Sequence, residues 1–264
     1  MSESGKNRRE AAAAARAASQ SGQKRRERTI RIVGAVTVLV VVAGIIGIAV
    51  VAKSTDTTGQ PVTATADPAA AIPTGVFPTG DVNEYGVPYN AAATGVPVLT
   101  IWEDFQCPSC ANLEETNGAG IIKLADEGKV QLVWRPTTFL DARLGNDAST
   151  RAVAAWGCAV DAGKTFEYHN VVFKNQPLEG DGYSDEQLLT FATAAGIAGP
   201  ALDTFTQCVT ARTYVGWAAN SYDTFLKKNV PGTPAGFLNG NPLGEGVLGD
   251  PVALAAAVAA EAAK

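Results

Sequence analysis

The stretch Val96-Pro97-Val98-Leu99-Thr100-Ile101-Trp102 runs directly into Glu103-Asp104-Phe105-Gln106-Cys107-Pro108-Ser109-Cys110. Its first seven residues are the short, β-branched and apolar run of a buried strand. Downstream, Pro108 to Glu127 reads as a helix, and Lys129-Val130-Gln131-Leu132-Val133-Trp134 as a second strand ended by Pro136. Strand, helix and strand in that order make a right-handed βαβ unit. A C-x-x-C therefore falls where the first strand hands over to the helix.

That position has a chemical use. The spacing lets two sulfurs meet across one helical turn, so a disulfide opens and closes with little backbone movement. Unpaired amides and the macrodipole at a helix start stabilise a thiolate, with pKa values of roughly 3.5–7.5 at such sites against about 8.5 for a free thiol. Cys107 is accordingly the residue that attacks or is attacked in a mixed disulfide. Cys110, one turn further in, is the resolving thiol. Two other readings exist for such a motif. As half of a zinc site it lacks partners, because Cys158, Cys208 and His169 are single and widely spaced, and no metal is expected. As a static staple it would close a loop too short to stabilise much.

Outward from this unit, the N-terminal side sets the compartment. Residues 1–31 hold nine Lys/Arg against Glu3, Glu10 and Glu27, a surplus of +6. The whole chain is −5, so the rest carries −11 and offers no electrostatic footprint for nucleic acid. From Ile32 to Ala52 no residue is charged, and a run of about 20 such residues spans hydrocarbon as a helix. Lys24, Arg25, Arg26, Arg28 and Arg31 precede the run and only Lys53 follows it closely, which puts the N-terminus in the cytoplasm. A cleaved signal peptide is the alternative, but the apolar stretch exceeds the usual h-region of about 7–15 residues. The expected layout is a basic cytoplasmic tail over 1–29, a transmembrane helix over 30–52 and a flexible extracytoplasmic linker over 53–85. The folded domain then covers 86–264, with a helical insertion at about 140–228. The linker is expected because the stretch from Ser54 to Gly80 is mostly Thr, Ala, Pro and Gly.

An extracytoplasmic location favours oxidised cysteines. Cys158 and Cys208 lie about 50 residues apart in segments of helical pattern, and read as a structural disulfide worth a few kcal/mol. His169, the only histidine, sits in the helical stretch Thr165–Asn175 and is assigned no catalytic role. Ser184 with Gln187 has the pattern of a capping box, and Asp250-Pro251 that of a helix start.

Taken together, the segment from Trp102 to Cys110, the insert with Tyr168-His169-Asn170 and Asn175-Gln176, and the late Val230-Pro231-Gly232-Thr233-Pro234 followed by Phe237-Leu238-Asn239-Gly240 resemble DsbA-like thiol-disulfide oxidoreductases, particularly the membrane-anchored bacterial ones. The likeness runs from about Val96 to the C-terminus. It implies an α/β, thioredoxin-like fold with a helical domain inserted after the second strand, and a cis Thr233-Pro234 bond beside the sulfurs. There the Thr233 backbone can pair with an extended substrate. It also implies no cofactor, a redox motif completed by Pro108 and Ser109, unfolded exported proteins with free thiols as substrates, and a reoxidising membrane partner of the DsbB or VKOR type.

Two departures stand out. Many relatives carry a buried acid six positions before the first cysteine, where this chain has Ile101; either Glu103 or Asp104 substitutes through water, or the step lacks an acid, and neither residue is assigned a catalytic role. Ser109 replaces the histidine of the best-known member, which removes one source of thiolate stabilisation. The expected function is the introduction of disulfides into exported proteins. A reductase or isomerase of the same fold, or a non-enzymatic peptide-binding module, are the alternatives.

Overall fold

The computed structural model describes residues 64–90 and 92–264. At its centre is a five-stranded sheet in the order β1-β3-β2-β4-β5. Here β1 is Val87–Pro88, β2 Val98–Glu103, β3 Gln131–Pro136, β4 Ala235–Leu238 and β5 Asn241–Pro242. β2 and β3 are parallel, from Val98 opposite Gln131 to Glu103 opposite Pro136. Leu99, Ile101, Leu132 and Trp134 of these strands are buried in the main core.

The helical run joining them is α1 (Pro108–Leu113), a π-helical turn (Glu114–Gly118) and α2 (Ala119–Asp126). The single helix expected over 108–127 is thus present but widened by one turn, a local device that re-aims side chains. β4 runs antiparallel to β2 with Ala235 opposite Trp102, so the residues just before Ala235 arrive at the end of β2 that leads to Cys107. β4 turns into β5 through Asn239-Gly240, both at positive φ as a type I′ hairpin requires. The closing helix α9 (Pro251–Ala262) is capped by Asp250, whose carboxylate accepts from the Val252 and Ala253 amides.

Between β3 and β4 lie six helices: α3 (Phe139–Leu144), α4 (Ala148–Asp161), α5 (Thr165–Lys174), α6 (Asp185–Ala194), α7 (Pro200–Thr210) and α8 (Val215–Lys227). They form the expected insertion. A disulfide between Cys158 and Cys208, 50 residues apart, joins α4 to α7. The Ser184/Gln187 capping box opens α6.

The flexible linker expected over 53–85 needs correction where it is described. Residues 67–85 lie against the insertion as a strap. The Asp67 amide donates to Asn220 Oδ1 and the Asn220 side-chain amide returns a bond to the Asp67 carbonyl, both at 2.7 Å. Further along, the Thr74 amide donates to Asp161 Oδ1, Trp217 Nε1 to the Tyr85 carbonyl, and Arg135 Nη2 to the Glu84 carbonyl. Val76 and Tyr85 are buried. Two helical glycines make room for the strap: a Cβ on Gly157 would lie 2.9 Å from Pro73 Cγ, and one on Gly216 2.5 Å from Ala70 Cβ. Composition alone suggested a tether because the strap contributes few apolar side chains of its own. It is held by backbone hydrogen bonds to side chains far away in sequence.

The tail 1–29, the membrane span 30–52 and the start of the linker lie outside the described residues. Among the described residues no helix is long and apolar enough to cross a membrane.

Candidate active site

Cys107 is the N-cap of α1, with extended backbone angles, and Pro108 occupies the first helical position, where a missing N–H costs nothing. Pro108 and Ser109 are exposed, whereas Cys107 is nearly buried and Cys110 fully so. Both cysteines are free thiols. The strand register brings Thr233, whose bond to Pro234 is cis, against the motif, and Cys107 Sγ lies 3.4 Å from the Thr233 carbonyl oxygen.

The two sulfurs are electrostatically unlike. Cys107 is lowered to about 6, chiefly by the hydrogen bond from the Cys110 thiol, with help from Thr233 and the Cys110 and Ser109 amides and against the opposing effect of burial. Cys110 is pushed well up by burial, by its bond to Cys107 and by the charge of Glu103. At neutral pH the pair therefore holds one thiolate, on the sulfur nearer the surface.

Behind the pair is a buried polar cluster. Glu103, the last residue of β2, points to the same face as Ile101, because strand side chains alternate with period two. Ile101 itself packs in the apolar core. Burial raises the Glu103 pKa, and the Cys107 charge adds to this. Glu114 is raised too, by burial and then by the charge of Glu103. The π-helical turn starts at Glu114, four residues after Cys110, and the Glu114 side chain is half-buried. His169 completes the cluster: its Nε2 is 2.9 Å from Glu103 Oε2. Burial lowers the pKa of the ring, which stays neutral among Phe105, Trp134, Trp156 and Phe173, with centroids 4.9 to 5.6 Å away.

Sequence reasoning left Glu103 open, gave His169 no role and did not single out Glu114. The signal for Glu114 was present in its spacing, since Cys110 and Glu114 lie on one helical face. Asp104 faces the other way. It accepts from the Gln106 and Leu140 amides and the Ser149 hydroxyl, which ties the loop before Cys107 to the insertion. Its pKa is raised to about 7 by burial. Among the described residues, Glu103, Glu114 and His169 are the one set that could hold a metal ion, with ligand atoms within 4.8 Å of one another. A cation there would have to displace the proton between His169 and Glu103. Cys158 and Cys208 are bonded to each other within the insertion and do not titrate.

No curated protein matches the chain. Residues 92–247 match the thioredoxin family. Among solved structures, oxidised DsbA of Mycobacterium tuberculosis is similar at 25% identity and a TM-score of 0.53, over 78% of this chain and 94% of that one. MdbA, a thiol-disulfide oxidoreductase from Actinomyces oris, is similar at 22% identity and 0.59, over 75% and 96%. BdbD from Bacillus subtilis shares the fold at 18% identity and 0.56, over 68% and 99%. A family match that spans β2, the C-x-x-C, the whole insertion and the cis-proline strand leaves one assignment: the chain belongs to the thioredoxin family, as a DsbA-like thiol-disulfide oxidoreductase.

Proposed function

We propose that the protein is an extracytoplasmic oxidase, anchored by residues 30–52, which introduces disulfides into exported, unfolded proteins through Cys107 and Cys110. In the first step a substrate thiolate attacks Cys107 Sγ of the enzyme disulfide. The Cys107–Cys110 bond breaks, and Cys110 leaves as a thiol, taking its proton from Glu103. A second substrate thiolate then attacks the substrate sulfur of the mixed disulfide and expels Cys107 as a thiolate. Two electrons pass from the substrate dithiol to the enzyme pair, which a membrane partner of the DsbB or VKOR type takes up in turn.

The observation that carries this reading is the asymmetry of the two sulfurs. A depressed Cys107 is a good leaving group in the second step, and stabilising its thiolate favours the reduced enzyme, which makes the disulfide more oxidising. Cys110, whose charged form burial disfavours, must be protonated as it leaves, and Glu103 beside it is an acid held protonated by burial. The Thr233 backbone at the cis bond supports docking of an extended substrate.

The test is equilibration of the full chain with glutathione at graded redox ratio. A midpoint well above that of thioredoxin, about −270 mV, is expected for an oxidase. A midpoint near thioredoxin's marks a reductase, and a pair that never opens marks a binding module.

A further inference from the structure

The helical insertion supplies a side chain to the loop that carries Cys107. Gln176 follows directly on the C-cap of α5, and its own amide is fixed by the Phe173 carbonyl. Its side-chain Nε2 donates to two carbonyls at once, those of Phe105 at 2.8 Å and Cys107 at 3.0 Å. The chain then returns to the same place. The Tyr183 hydroxyl donates to the Phe105 carbonyl at 2.6 Å. Gly182 before it, at φ +66°, passes so close that a Cβ there would lie 2.7 Å from Ala148 Cβ. The segment from Gln176 to Tyr183 is therefore clamped to the catalytic loop at both ends.

We infer that Gln176 is a positioning residue for Cys107: its carboxamide holds the Cys107 carbonyl in place and offsets the dipoles of the Phe105 and Cys107 carbonyls. The Cys107 carbonyl also accepts from the Cys110 and Ala111 amides, so it is the first acceptor of α1. Fixing that oxygen from outside fixes where the helix begins, and with it the direction of the amides that face Sγ. The same oxygen is the negative dipole covalently nearest to the thiolate, and a donor on it reduces the repulsion. The insertion thereby tunes the sulfur through a neutral amide. This rests on the reading of Cys107 as nucleophile.

The test uses the full chain in detergent and compares Gln176→Met, which keeps length and bulk but loses the donor, with Gln176→Ala. Two quantities are read: the pH midpoint of Cys107 alkylation in the reduced protein, and the equilibrium with glutathione. In both variants the midpoint is expected to rise by about 0.5. The glutathione equilibrium should shift about three- to tenfold toward the enzyme disulfide, the ratio that one ordinary hydrogen bond makes. Gln176→Glu sets a carboxylate against two carbonyl oxygens and should move both readings further. If Gln176→Met folds with an unchanged midpoint and an unchanged equilibrium, the inference is overturned, even where its melting temperature falls, because Gln176 then only braces the fold. Failure of the underlying reading looks different: wild-type Cys107 would itself titrate like a free thiol.

Discussion

The Nε2 of His169 lies 2.9 Å from Oε2 of Glu103, and both side chains are buried. One belongs to the helical insertion and the other to the last residue of β2, so the insertion reaches the acid behind the cysteines directly. A neutral imidazole fixes the orientation of Glu103 without adding charge, and the acid keeps a high proton affinity next to Cys110.

Replacement of Glu103 by Gln should leave the thiolate of Cys107 in place and slow the steps in which Cys110 gains or loses a proton. The expected loss is about tenfold or more at pH 7, since a positioned acid or base contributes about 10²–10⁴. Stopped-flow fluorescence of mixed-disulfide collapse measures it. An unchanged rate would remove Glu103 from the mechanism.

The alkylation of Cys107 should titrate with a midpoint near 6. Cys110→Ser weakens the leading cause of that depression by exchanging a thiol donor for a hydroxyl at a different distance, so the midpoint should change. Cys107→Ser should abolish oxidation of a reduced substrate altogether.

The pH dependence of stability has a definite sign. Cys107 is depressed in the folded reduced protein from its ordinary 9 to about 6. It therefore contributes stability that is full above 9 and lost as pH falls through 6. The oxidised protein has no such thiol. Chemical denaturation of both forms should show the reduced form gaining on the oxidised one between pH 6 and 9. Glu103 and Glu114 act in the other sense: raised by burial from 4.5 to about 8, they favour the fold below 4.5 and lose that contribution as pH rises to 8. Comparing the difference between the two redox forms within Glu103→Gln isolates the thiol's part.

Removal of the second disulfide by Cys158→Ser with Cys208→Ser should lower stability by about 2–4 kcal/mol, as expected for a closed loop of this length. The Cys107 midpoint should stay where it is, because the bond ties α4 to α7. A change in that midpoint would tie the bridge to the redox site.

The strap also has a signature. Asn220→Ala removes both reciprocal bonds to Asp67 and should cost about 1–3 kcal/mol, at about 0.5–1.5 kcal/mol for each bond. Gly216→Val should do the same by filling the space that Ala70 occupies. Proteolysis within residues 67–80 should then quicken in both variants, and equal rates would return this segment to the status of a free tether.

What was legible in the sequence was local. The β2 run, the C-x-x-C at a helix start, the Asn239-Gly240 turn and the Asp250-Pro251 cap each depend on neighbours a few residues away, and each could be read from spacing. The polar cluster could not, because it assembles Glu103, Glu114 and His169 from a strand end, a π-helical turn and the insertion. Glu103 and Asp104 were equal candidates in the sequence, and only the alternation of β2 shows that Glu103 and not Asp104 faces the sulfurs. His169 carries no role in the sequence reading because its acidic partner is 66 positions away. The strap was misread for the same reason: Asp67 and Asn220 are 153 positions apart, and composition says nothing about so distant a match.

That separation also orders the assembly of the molecule in time. Asp67 leaves the ribosome long before the helix that receives it, and two glycines that seat the strap, Gly157 and Gly216, lie in helices made later. The leading segment of the domain must therefore wait, unpaired, until the insertion has been synthesised and packed. Its docking onto α8 can only follow the synthesis of that helix.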